Sequence, residues 1–457
     1  MKILLAYISI LPFTGGVWTY VRELKNGLEK LGHSVDILAW NPDMYRYYKM
    51  EKNDFIELQA IRPQIARLVD DYYDENTPKV DRWIRSNEIH RYTFEIASAY
   101  LGLDKYDIIH AQCVRSARAI SRVKPKHVPL VTSPHSYLTK ELFLPLGKHA
   151  NPTHKRYISH LEFLGPTSSD HTIVASKYLK GVLEEFGVTS DSISVVPYGI
   201  DIEKFSSHME NAISSQVPPT NKKIIICPAR VEYEKGHLYL LEALAMLKAN
   251  NITNWVCWIA GIGEYLNELK GIAIEFGIHN DVVFLEERSD IPALLKRADI
   301  FALPSLLENL PFAVMEAQLA GKAIVVSDEG GIPEMITHGV TGMISPTYDS
   351  EGLSQNLKLV LSNEAIVKQL GKNAKQFAFK SWPIDLSVTR TLAIYENVIN
   401  QKKKGAFNKS NNHSRFPFKN LVSQSSRSFW DSIFKTLPED YLIPDPGITT
   451  FLKNLYK

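Results

Sequence analysis

PSLLENLPFAVMEAQLAGKAIVVSDEGGIPEMI, residues 304–336, decides the reading of this chain. It sets two carboxylates, Glu308 and Glu316, with seven residues between them. The spacing predicts Glu308 in a loop and Glu316 inside the helix that follows. Asn309 is suited to cap that helix, Pro311 to its first turn and Gly321 to its end. A buried strand is expected over Ala323–Val326, and Gly330-Gly331 should open a second helix at Pro333. Two helix N-termini at the ends of neighbouring strands suit a phosphate-bearing ligand. Carboxylates beside an anion site make sense only when the ligand also carries hydroxyls, as a sugar nucleotide does.

Outward from this segment the pattern is βα throughout. Lys2–Ile8 reads as a strand, Val17 to Leu31 as a helix ended by Gly32, and Val35–Trp40 as the next strand, a βαβ unit that predicts a parallel sheet. Strands are expected at Ile108–Ala111, Leu130–Thr132, Thr172–Ala175 and Ile193–Val196, with a helix over Lys177–Phe186. Residues 41–92, aromatic and charged, read as an insertion or loop–helix region over a cleft. The polar stretch 206–222 reads as a linker. A second series follows, with strands Ile224–Pro228, Trp255–Ala260, Val282–Leu285, Ile300–Leu303 and Ala323–Val326 and helices Leu238–Lys248 and Ile291–Ala298. It ends near Trp382, and a helix from Ile384 to Ile399 could cross back. The expected domains are 1–205 with the returning helix 384–400, then 206–383, then a basic and aromatic tail, 401–457.

Composition bounds the chemistry. The 457 residues carry a formal charge of only +2, which argues against a nucleic-acid partner. Apolar runs fall short of the ~18 residues that span a bilayer. The start, MKILLAYISI, reads as a buried strand rather than a leader, because Pro12, Gly15 and Gly16 interrupt it. Cys113, Cys227 and Cys257 are scattered and fit a reducing cytoplasm. The tail holds ten Lys/Arg against four Asp/Glu. It suits either packing on its own protein or contact with a partner or an anionic inner membrane face.

Individual motifs leave alternatives open. Gly15-Gly16 and Gly261-Ile-Gly263 each serve a tight turn or a close backbone approach to pyrophosphate, although GxGxxG is absent. Arg230 and Lys235, after a strand, are diphosphate ligands or solvated loop cations, with Glu232 and Glu234 as rival partners. His135 in SPHSY suits a sugar hydroxyl contact or proton transfer, among fourteen histidines. The histidines lack metal-ligand spacing, so no metal is expected. Serine-hydrolase elbows and Walker A loops are missing.

Taken together the chain resembles the retaining glycosyltransferases of family 4, with the GT-B fold of two facing Rossmann-like domains. The matching pieces run in family order: TGGVWTYVREL (14–24), SPHSY (133–137), VASKYLKGVL (174–183), VPYGID (196–201), PARVEYEKG (228–236), AGIGE (260–264), ADIFALPSLLENLPFAVMEAQLAGKAIVVS (298–327), GGIPEMI (330–336) and KSW (380–382). They leave 41–92 and 401–457 unmatched. The resemblance implies a nucleotide diphosphate sugar as co-substrate, a UDP- or GDP-sugar, with neither cofactor nor metal. It implies an acceptor hydroxyl on a glycan, glycolipid or protein. Arg230 and Lys235 would hold the donor diphosphate, Glu308 the sugar hydroxyls, and Glu316 the ribose. The backbone of Asn309, Leu310, Pro311 and Phe312 would contact sugar and phosphate. Gly16 would approach the diphosphate, and His135 would face the sugar across the cleft. After Glu308 the family usually has Gly-Phe or Gly-Leu; Asn309-Leu310 stand here, so the sugar's identity does not carry over. Rival functions on this fold are a sugar-nucleotide epimerase and a non-catalytic sugar-nucleotide sensor or partner subunit.

Overall fold

The computed structural model describes residues 1–213, 217–405 and 427–456. Its first sheet is built from β1 (Lys2–Ile10), β2 (Ser34–Trp40), β3 (Arg46–Lys49), β4 (Asp54–Glu57), β5 (Ile108–Ala111), β6 (Leu130–Thr132), β7 (His171–Val174) and β8 (Ile193–Val195). They lie in the order β4-β3-β2-β1-β5-β6-β7-β8. The second sheet contains β9 (Lys223–Pro228), β10 (Trp255–Ala260), β11 (Val282–Glu286), β12 (Ile300–Leu303), β13 (Ala323–Ser327) and β14 (Met343–Ser345). Its order is β11-β10-β9-β12-β13-β14, parallel at every pairing. The apolar runs Ile224–Pro228, Trp255–Ala260 and Ala323–Val326 of β9, β10 and β13 follow from this, since helices bury both faces of a parallel sheet. These are the two Rossmann-like domains of a GT-B protein.

Strand order fixes where a ligand can sit. The side on which successive strands are added reverses between the parallel neighbours β1 and β5 in the first sheet and β9 and β12 in the second. The loops leaving those strands splay apart and open a crevice at their carboxyl ends.

Residues 41–92 are more regular than the sequence suggests. β3 and β4 form an antiparallel hairpin that extends the first sheet beyond β2. Two long helices follow, Leu58–Asn76 and Arg82–Tyr100, and pack on one another. The sheet edge supplies pairing partners for a segment whose short-range pattern is ambiguous, so 41–92 thickens the flank of its domain and does not roof the cleft. Helix Ile202–Met209 runs into the expected linker, and part of that linker, 214–216, lies outside the described residues.

Helix Ile384–Lys403 lies against Gly16–Lys30 of the first domain. Residues 427–456 also dock there. Trp430, Ile433, Ile443, Ile448 and Leu452 share one core with Leu4, Phe94 and Ile109. Asp445 is buried between Arg118 (2.6 Å), Arg122 (3.0 Å) and Arg91 (3.4 Å). Of the two readings of the tail, packing on its own protein describes this part, while 406–426 lie outside the described residues.

Candidate active site

The crevice between the two switch points is a cleft of about 1060 Å³. All thirteen residues singled out above line it: Gly15, Gly16 and His135 from the first domain, and Arg230, Lys235, Gly261, Gly263, Glu308, Asn309, Leu310, Pro311, Phe312 and Glu316 from the second.

Close backbone packing builds the second wall. Gly236 has φ +68°, and a Cβ there would lie 1.9 Å from the Pro304 carbonyl oxygen. The loop after β9 thus nests against the loop after β12, and the Leu306 amide donates to the Glu234 carbonyl at 2.7 Å. Lys235 is thereby held beside Glu308, Nζ to Oε1 2.7 Å, and Ser305 Oγ donates to the same oxygen at 2.9 Å. Their side chains are 17% and 10% exposed, so solvent screens this pair little. Arg230 differs: it is half exposed and paired with Glu234 at 3.1 Å, which leaves its guanidinium able to turn into the cleft.

Helix Phe312–Leu319 starts later than the sequence suggests. Pro311 occupies its N-cap and no side chain caps it. Asn309, expected as the cap, instead receives a hydrogen bond from Ser176 and donates to the His135 carbonyl at 3.1 Å. The start of the helix, Pro311, Phe312 and Ala313, lines the cleft with its first amides uncapped, a favourable end for an anion. Glu316 sits one turn in, and burial pushes its carboxyl up to about 7 despite the opposing field of Arg22. The helix expected at Pro333 is a single turn of three residues, Ile332–Glu334, too short to offer an N-terminal site. Gly330-Gly331 serve another end: Cβ atoms there would lie 1.8 Å from the Glu308 carbonyl oxygen and 2.0 Å from that of Asn309.

On the first wall, Gly16 faces Phe312 across the cleft, where a Cβ would lie 3.7 Å from its ring. His135 is held from both sides, Nδ1 to Tyr198 Oη at 2.8 Å and Nε2 to Gln112 Oε1 at 3.1 Å. Burial pushes its pKa down to about 3, so the ring is neutral near pH 7. With both nitrogens engaged it reads as a fixed hydrogen-bonding group, not a proton shuttle. Tyr198 in turn stacks on Phe312, centroids 5.0 Å apart and 3° from parallel. Gln112 and Tyr198 escaped the sequence reading as site residues. Their signal was positional, since Gln112 directly follows the β5 strand at the switch point. Gly261 and Gly263 nest on the carbonyls of Ala229 and Val231, with virtual Cβ distances of 2.0 and 2.2 Å. Among the described residues no group of three or more His, Cys, Asp or Glu side chains is placed to hold a metal ion.

Two Rossmann-like sheets facing a cleft whose walls carry paired cations and paired carboxylates define a glycosyltransferase of the GT-B type. Two family models match in tandem: Glycosyltransferase Family 4 over residues 14–204 and Glycosyl transferases group 1 over 208–377. The chain belongs to this family of glycosyltransferases. It is 26% identical to an uncharacterized glycosyltransferase of Methanocaldococcus jannaschii over 84% of this chain and 94% of that one. It is 32% identical to the N,N'-diacetylbacillosaminyl-diphospho-undecaprenol alpha-1,3-N-acetylgalactosaminyltransferase of Campylobacter jejuni, over 48% of this chain and 57% of that protein. Among solved structures, Anabaena HepE in complex with UDP matches with a TM-score of 0.60 at 18% identity, covering 87% of this chain and all of that one. Sucrose-phosphate synthase of Thermosynechococcus elongatus matches at 0.67 and 17%, covering 87% and 99%. At these identities the structures speak for the fold alone. Among the described residues no helix is long and apolar enough to cross a membrane.

Proposed function

We propose that the protein moves a sugar from a nucleoside diphosphate sugar, a UDP- or GDP-sugar, to a hydroxyl of a glycan or glycolipid, with retention of anomeric configuration. The observation that carries this reading is the Lys235–Glu308 pair at 2.7 Å. It places a cation and an acceptor of hydroxyl hydrogen bonds side by side, where diphosphate and sugar of one ligand would meet. Arg230 and Lys235 hold the diphosphate and stabilise the charge that grows on it as the glycosidic bond breaks. Glu308 accepts from sugar hydroxyls as a charge-assisted bond, and Glu316 from the ribose. The backbone of Gly15, Gly16, Gly261 and Gly263 lets phosphate come close, and the amides after Glu308 complete the anion cradle. The neutral His135, with Tyr198 and Gln112 bonded to its two ring nitrogens, fixes the wall that faces the sugar. The departing phosphate oxygen takes the acceptor's proton on the face it leaves, so a separate protein base is not required. The diphospho-undecaprenol acceptor named for the Campylobacter relative supports the acceptor class.

A thermal-shift series with UDP, GDP, ADP and their sugars tests the donor, because a ligand that binds only the native state raises its stability. A rise with one nucleotide and its sugar is expected. If none of them shifts the transition, the reading fails.

A further inference from the structure

The loop that carries Glu308 is gripped from the opposite domain through a side chain to which donor binding gives no role. Asn309 follows Glu308 directly and is only 7% exposed. Its Oδ1 accepts from Ser176 Oγ, and its Nδ2 donates to the His135 carbonyl at 3.1 Å. Both partners belong to the first domain: Ser176 lies between β7 and the helix Lys177–Glu185, and His135 follows β6. The junction is tight. A Cβ on Gly331 would lie 2.0 Å from the Asn309 carbonyl oxygen and 2.9 Å from Ser176 Cβ, so the loop after β13 closes on the same point. Further along the Glu308 loop, Phe312 makes a second crossing by stacking on Tyr198. Tyr198 Oη is bonded to the ring of His135, whose carbonyl holds Asn309. Asn309, His135, Tyr198 and Phe312 thus form a closed circuit across the domain boundary, and Leu310 and Pro311 span its second-domain side. Two further contacts join the domains. Lys140 pairs with Glu329 at 2.6 Å, and the Glu334 carboxylate accepts from the Lys177 and Tyr178 amides at 2.9 and 2.8 Å. These hold the segment that follows β13, whereas Asn309 holds the residue next to Glu308.

A buried amide whose bonds run to the other domain keeps them only while the two domains stay together; apart, each partner must turn to water. We infer that the Asn309 side chain is a positioning residue that couples closure of the two domains to the placement of Glu308 and of the main chain from Leu310 to Phe312. Nucleotide binding does not need this coupling, because Arg230, Lys235 and Glu316 all belong to the second domain. Cleavage of the sugar–phosphate bond does need it, because Glu308 lies on one side of Asn309 and the start of the helix Phe312–Leu319 on the other. This rests on the glycosyl-transfer reading of the same cleft.

The test compares the full-length wild type with Asn309→Ala, Ser176→Ala and the double variant. In the ligand-free proteins, amide hydrogen exchange over residues 307–312 should speed up about fivefold or more in each single variant, the loss of one or two hydrogen bonds. The double variant should match Asn309→Ala, since the two side chains share one contact. Ser176 also caps its own helix through the Leu179 amide at 3.0 Å. Loss of that cap alone would loosen 177–185 and leave 307–312, in the other domain, unmoved. With UDP, GDP or ADP, whichever the donor series selects, the calorimetric Kd should stay within about twofold of wild type in all three variants, because the coupling acts after the nucleotide has bound. Release of that nucleotide from its sugar conjugate should fall about tenfold or more in kcat, since slight misplacement of reacting groups is costly. Unchanged exchange at 307–312 in Ser176→Ala, additive effects in the double variant, wild-type kcat in Asn309→Ala, or nucleotide affinity that falls in step with kcat overturns the inference. A wild type that binds none of the nucleotides, or cleaves none of their sugar conjugates, overturns the transfer reading instead, and the exchange comparison then decides the coupling by itself.

Discussion

At the residue scale the site depends on how little water reaches its charges. Lys235 and Glu308 neutralise each other, so removing either leaves a mostly buried charge with Ser305 beside it. Lys235→Ala should lower kcat with the true donor by about 10²- to 10³-fold, the usual loss for one preorganised electrostatic group. Glu308→Gln should act mainly on the sugar, reducing transfer while nucleotide binding persists. Wild-type turnover in either variant, with folding checked by circular dichroism, would remove these residues from the chemistry. Glu316 gives a pH-resolved prediction. Its folded pKa of about 7 lies above the ordinary 4.5, so the folded state favours the protonated acid. Below pH 4.5 both states are protonated and the carboxyl has no effect; as pH rises toward 7 it progressively destabilises the fold, and fully beyond. Glu316→Gln should therefore raise the unfolding temperature of the ligand-free protein at pH 8 and change it little at pH 4. An equal shift at both pH values, or a loss at pH 8, contradicts this account.

At the element scale, loops locked together by missing side chains hold the site. Gly330 combines φ +59° with a virtual Cβ 1.8 Å from the Glu308 carbonyl oxygen. Gly32 has φ +82° and nothing within 4 Å. Gly32→Ala should thus cost only the left-handed backbone penalty of about 1–2 kcal/mol. Gly330→Ala should cost more and also raise the donor KM, because the Glu308 loop must move; chemical denaturation with donor kinetics on both variants checks this. Equal losses with an unchanged KM would show that the loop gives way freely. The contrast also explains what the sequence could convey. Strand runs such as Trp255–Ala260 and Ile300–Leu303 were legible to the residue, because a strand buried on both faces allows little but apolar side chains. The short β14, Met343–Ser345, escaped, being held by its pairing with β13 rather than by its own pattern. Hairpin β3–β4 escaped for the same reason. The cap at Asn309 misled because capping is a local rule and tertiary partners overrode it: Ser176 and the His135 carbonyl lie across the cleft, beyond what local spacing can report. All thirteen candidate residues reached one cleft, since each follows a strand end, and strand order gathers those ends. Gln112 follows β5 in the same way, but it stood in no motif.

At the scale of the whole molecule, the described tail is part of the first domain's core. Trp430 and Ile433 belong to the core that also holds residues of β1 and β5, so the domain buries its apolar surface fully only when 427–456 are in place. The docking point is charged. Asp445 accepts two hydrogen bonds from Arg118, at 2.8 and 2.6 Å, and its amide receives none of these but donates to Tyr92 at 2.7 Å. Glu95 and Glu88 balance the remaining arginine charge. Burial alone would raise the Asp445 carboxyl, but Arg122, Arg118 and Arg91 hold it far below the ordinary carboxylate range. Its contribution to stability is therefore complete above the unfolded value of 3.8 and is lost only as pH falls through the much lower folded value. Asp445→Asn keeps the shape and removes the charge, leaving three guanidiniums to two carboxylates in a dry interface. The expected loss is about 3–5 kcal/mol, that of breaking a buried ion pair from one side. The gap between wild type and variant should stay constant from pH 8 to pH 5. Urea unfolding at both pH values measures it; a variant as stable as wild type at pH 7 would mean that apolar packing around Trp430 and Ile443 holds the tail unaided.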